Sequence, residues 1–143
     1  MPICLGDRSR IIDISLLLVA FFWVCRVRSG LTLSTLEKMR RRLLPETLAI
    51  SDASVDIPRL AWAVRRVAHI VPMATCLTRA LALQIILARK GVPAELVLGV
   101  GRSASDEFLA HAWLEKDGQI VIGGSERRIS SYSRLATYGS VRP

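Results

Sequence analysis

Two residues are of the types that nucleophilic acyl chemistry needs, Cys76 and His111. Cys76 follows Thr75 at the head of an apolar run that continues to Lys90. A cysteine in the first turn of a helix meets unpaired backbone amides and the positive end of the helix dipole, and both favour a thiolate nucleophile. The same amides, from Thr75 to Leu77, can hold a developing oxyanion, so Thr75 and Leu77 are the oxyanion candidates. His111 sits in Ala110-His111-Ala112-Trp113, inside a strand-like run. A neutral imidazole there can take the thiol proton and later protonate a leaving amine. Helix-borne Cys with strand-borne His is what a cysteine peptidase requires. Spacing alone also admits a small inert core cysteine and a hydrogen-bonded sheet histidine. Cys4, Cys25 and His69 have no partner in the sequence and read as structural.

The elements that must carry this pair follow from periodicity and punctuation. Residues 9–28 read as a helix that Gly30 breaks. Thr32 or Ser34 can cap a second helix to about Leu44, ended by Pro45. Residues 46–56 read as loop, and Asp56 caps a third helix with Pro58 in its first turn, running from Arg59 to about Ile70. Leu60, Val64 and Val67 share one face of it, and Arg65 and Arg66 another. The fourth helix, from about Thr75 to Lys90, is apolar nearly all round and therefore central, with Gly91 as its C-terminal cap. Ala94 to Val100 then reads as a buried strand, with Gly99 and Gly101 opening a loop. Phe108–Glu115 and Gln119–Ile122 form a hairpin about Asp117-Gly118. Ile129 to Leu135 forms a last short element. The expected fold is α+β, one domain over residues 1–143: a helical layer over 1–56, then a catalytic core over 57–143 with the Cys helix packed on a small antiparallel sheet.

Composition bounds the alternatives. The chain has 143 residues, is 51% hydrophobic and carries a net charge of +8, which excludes a disordered basic tail. Residues 1–42 carry a net +5, residues 43–126 carry −1 and residues 127–143 carry +4, which places the charge away from the chemistry. Three widely spaced cysteines make neither a disulfide framework nor a zinc pattern, which points to a reducing, cytoplasmic setting. Ile14–Cys25 is apolar except for Ser15 and flanked by arginines. It is shorter than the ~20 residues of a membrane span and is followed by no small-x-small cleavage site. It reads as a buried or membrane-surface helix.

The block Ala68-His69-Ile70-Val71-Pro72-Met73-Ala74-Thr75-Cys76-Leu77, then Leu98-Gly99-Val100, Ala110-His111-Ala112-Trp113 and Asp117-Gly118, resembles the transglutaminase-like cysteine peptidases that remove leader peptides in lasso-peptide biosynthesis. Residues 60–124 resemble the catalytic core of that family in order and spacing. The resemblance implies a papain-like α+β fold and a Cys–His–Asp triad with Cys76 and His111 in the first two places. Where the family aspartate is expected, across the hairpin from the histidine, this chain has Gly123 or Gly124. Asp117 lies six residues along the strand, roughly 20 Å away. Ser125 or Glu126 can reach back if the chain bends, and Glu126 is the candidate third member. Otherwise a backbone carbonyl or water holds the ring. The first 60 residues read as helical, unlike the winged-helix leader-recognition module of fused family members, so the chain resembles the stand-alone protease of the split system. The resemblance then implies three partners: a precursor with its leader, a separate small recognition protein and an ATP-dependent macrolactam cyclase. No residue pattern in the chain implies a metal or an organic cofactor.

Two other functions compete. The same architecture can transfer an acyl group to an amine rather than to water. A basic, non-enzymatic binder of nucleic acid or anionic membrane would also be cationic with an apolar helix. The basic residues are not interleaved with aromatics for base stacking, which disfavours nucleic acid. Membrane contact through Ile14–Cys25 is the weaker expectation.

Overall fold

The computed structural model describes residues 5–48 and 54–141, with side chains from residue 13 onward. Cys4 and residues 49–53 of the expected loop lie outside the described residues. The elements are α1 (Leu5–Leu33), α2 (Leu36–Leu43), α3 (Ile57–Ala68), α4 (Cys76–Arg89), β1 (Glu95–Arg102), β2 (Phe108–Lys116), β3 (Gln119–Ile122), α5 (Glu126–Ile129) and β4 (Ser133–Tyr138). The strands form one antiparallel sheet in the order β3-β2-β1-β4. This is the expected α+β fold.

α4 is central because its sequence leaves it no polar face. Thr78 and Ala80 through Ala88 are all buried. One side packs on α1 and α3, through Ala20, Val24, Leu60 and Val64, and the other on Ala112 and Leu114 of β2. Each fully buried leucine here, such as Leu81, Leu83 or Leu87, contributes roughly 1.5–3 kcal/mol. The helix ends as its sequence dictates. Gly91 adopts φ +75°, and the amides of Gly91 and Val92 donate to the carbonyls of Ala88 and Leu87. α3 likewise starts where expected, with the Asp56 carboxylate accepting from the Arg59 amide at 3.1 Å.

Three local expectations need correction. Gly30 does not break α1; it lies inside the helix, and a Cβ there would overlap the Met39 sulfur of α2. Its small size permits close helix approach. The hydroxyls of Thr32 and Ser34 donate to the carbonyls of Arg28 and Gly30 in the last turns of α1, so the cap of α2 falls to Thr35. Gly99 and Gly101 lie within β1 and open no loop; a Cβ on Gly99 would sit 2.6 Å from the Trp113 ring.

Beyond the hairpin, whose Asp117 and Gly118 both take positive φ as a two-residue turn requires, the chain forms α5 and then β4. β4 runs to Tyr138, past the expected limit at Leu135, and pairs with β1. Polar groups hold its end to the helices. The two N–H groups of the buried Gln84 amide of α4 are shared among the carbonyls of Ala94, Tyr138 and Gly139. Arg40 of α2 donates to Gly139 and lies over the Tyr138 ring; burial pulls its pKa below the ordinary arginine value.

The N-terminal apolar stretch is part of a longer element. Ala20, Val24 and Val27 of α1 are buried against the core, while Ile14, Leu18, Phe21 and Phe22 face outward and are exposed. The segment Asp13–Leu33, 21 residues, is long and apolar enough to cross a membrane by length and composition.

Candidate active site

Cys76 is the first residue of α4 and is half-buried. The chain reaches it through Met73, held at φ +58°, and Thr75, which is extended at ψ 173° and caps the helix by accepting from the Thr78 amide at 3.4 Å. The amides of Thr75, Cys76 and Leu77 make no hydrogen bond among the described residues. Helix geometry leaves them without carbonyl partners, so they remain donors at the thiol.

His111 projects from β2 opposite Gly99 of β1. Its Nε2 lies 2.5 Å from the carbonyl oxygen of Gly123. A carbonyl only accepts, so Nε2 carries the proton and donates, and in the neutral ring Nδ1 keeps its lone pair. The ring also lies 5.2 Å from the Tyr132 ring, tilted by 31°, and stacks at 6.1 Å on Trp113.

The carbonyl reaches the ring because the strand partner of β2 ends early. β3 stops at Ile122, past a bulge at Leu114/Glu115, and the chain turns through Gly123 and Gly124 at φ +117° and +133°. A Cβ on Gly123 would overlap the Trp113 side chain and sit 2.7 Å from its Cα. Only glycine fits this crossing. Behind the histidine, the Trp113 indole donates to Glu115 Oε1 at 2.8 Å, and Arg134 donates to the same oxygen at 2.7 Å. His111, Trp113 and Glu115 alternate along β2 and therefore share a face. That alternation was legible in sequence; the ring contact of Tyr132 and the arrival of Arg134 from β4 were not.

Cys76 and His111 line one cavity of about 530 Å3, with Ala74, Ile122 and both glycines. Thiol and imidazole share this cavity and are not hydrogen-bonded to each other among the described residues. Glu126 opens α5, is exposed, and makes no hydrogen bond to the ring among the described residues. Among the described residues no three of His, Cys, Asp and Glu gather as a metal site.

The charge distribution needs correction. Arg65, Arg79 and Arg128 also line this cavity, and no acidic side chain does. The near-neutral sum over residues 43–126 hid a local concentration: Arg65 comes from α3, Arg79 from α4 and Arg128 from α5 beyond the counted segment.

These elements can do one kind of chemistry well. A thiol at a helix start attacks a carbonyl carbon, free amides receive the oxyanion, and an imidazole with a fixed tautomer moves the proton. The family model described as transglutaminase-like superfamily matches residues 16–137. No curated protein and no solved structure gives a match to the chain.

Proposed function

The chain belongs to the transglutaminase-like superfamily of cysteine peptidases and acyltransferases, and from that premise we propose that it is a cysteine peptidase that cleaves the leader from a ribosomally made lasso-peptide precursor. The observation that carries the peptidase reading is the shared cavity of Cys76 and His111, with the ring held by the Gly123 carbonyl. The resemblance of residues 60–124 to the leader peptidases supplies the substrate.

In this mechanism His111 Nδ1 takes the thiol proton as Cys76 Sγ attacks the scissile carbonyl. The amides from Thr75 to Leu77 receive the oxyanion. The tetrahedral intermediate collapses to a thioester, and the imidazolium gives its proton to the departing amine, the N-terminus of the core peptide. Water, deprotonated by the same nitrogen, then hydrolyses the thioester and releases the leader, and the imidazolium returns its proton to the departing Cys76 thiolate. The freed amine is what an ATP-dependent macrolactam cyclase needs for ring closure. A separate small recognition protein presents the leader, and the reaction runs in the cytoplasm.

The test is mass spectrometry of a candidate precursor after incubation. Wild type is expected to yield leader and core, and Cys76→Ala to leave the precursor whole while keeping its circular dichroism. Cleavage by Cys76→Ala would sink the assignment. A crosslinked product in place of two fragments would make the enzyme an acyltransferase.

A further inference from the structure

Three arginines line the active cavity. Arg65, Arg79 and Arg128 form none of the salt bridges among the described residues, and no hydrogen bond there uses their guanidinium groups. The Arg79 Nε is buried without a partner. Three cations converging without a counter-ion repel one another, and a buried unpaired donor is costly. Guanidinium groups fit carboxylates in a planar, two-bonded geometry.

We propose that these arginines bind a carboxylate of the substrate, held in the same cavity as the scissile bond. The inference rests on the peptidase reading and adds a specificity to it: the peptide carries an acidic group within a few residues of the bond. The helices bring that charge to the site. Arg79 is one turn along α4 from Cys76, and Arg65 of α3 and Arg128 of α5 line the same cavity. Arg65 also lines a second groove, along α3 and β3 past Ala61, Ile120 and Val121, so the chain flanking that carboxylate has a path out of the site.

The carboxylate is either an Asp or Glu side chain or a chain terminus, and one experiment separates the two. The probes are acetylated, amidated octapeptides carrying Asp or Asn, Glu or Gln, at one scanned position, and a second set without acidic side chains but with a free C-terminus. Retention on the Cys76→Ala chain is read by affinity selection and mass spectrometry; cleavage of the same peptides is read with wild type. The expected result is about tenfold or greater retention of acid over amide at one or more positions, lost on Arg65→Gln/Arg79→Gln/Arg128→Gln. Preference for the free terminus alone assigns the site to terminal carboxylates. Equal retention of acid and amide, or a preference that survives the triple substitution, overturns the proposal. Should the triple variant not fold, Arg65→Gln/Arg128→Gln at exposed positions carries the test. Cys76-dependent cleavage blind to charge would remove the carboxylate site and leave the peptidase; charge-selective retention without cleavage would do the reverse.

Discussion

His111 is oriented by a peptide carbonyl, and that changes what the ring can do. A carboxylate would both orient an imidazole and stabilise its charged form; a carbonyl dipole orients it with less stabilisation of charge. The third position is therefore open to a direct experiment at Glu126, the acidic residue nearest the glycines in sequence. With Gly123 on Nε2, Glu126→Gln is expected to keep kcat/KM within about threefold of wild type, a change under ~1 kcal/mol. A hundredfold loss with an altered pH profile would make the Glu126 carboxylate the group that positions the ring. Cys76 and His111 were legible because each sits beside a strong local signal, a helix start and an apolar strand. Gly123 was legible only as the missing aspartate. Its carbonyl function depends on a positive φ and on the bulge in β3, which the sequence does not display.

At the scale of elements, sequence punctuation was reliable where a residue acts on its own chain. Asp56 before Pro58, Gly91 after Lys90 and Asp117-Gly118 all do locally what their types suggest. It misled where a residue acts on a distant one. Gly30 and Gly99 look like breakers yet are gaps for Met39 and for Trp113 with Tyr132. β4 was blurred because it is an edge strand with a largely exposed surface, so it lacks apolar alternation. What fixes β4 is polar: Gln84 reaches from α4 to three carbonyls, two of them at the β4 end. Gln84→Leu keeps the volume and removes those donors. It is expected to cost about 2 kcal/mol, lowering Tm by about 4–8 °C, as read by thermal unfolding. An unchanged Tm would show that the strand is held by its pairing with β1 alone.

For the whole molecule, the +8 charge and the apolar N-terminus resolve into two surfaces. Part of the charge lines the active cavity, as Arg65, Arg79 and Arg128. The apolar helix divides lengthwise, with Ala20, Val24 and Val27 in the core and Leu18 and Phe22 outside, at 64% and 57% exposure. Residues that exposed contribute little to folding. Leu18→Ser/Phe22→Ser is accordingly expected to leave stability within about 1 kcal/mol and to reduce self-association at high concentration, as read by thermal unfolding and light scattering. A loss several times larger would mean that this face is part of the core. Summed charge over a segment could not reveal the cationic cavity, since three separate helices supply it.

The central claim is that Cys76 is a nucleophile served by His111, and its most direct measurement needs no substrate. Iodoacetamide alkylation, resolved by cysteine with peptide mass spectrometry, compares Cys76 with Cys25, the other half-buried thiol among the described residues. Cys76 is expected to react about tenfold faster or more, and His111→Ala to remove most of that advantage. Equal rates at the two thiols, or a Cys76 rate indifferent to His111→Ala, would contradict it.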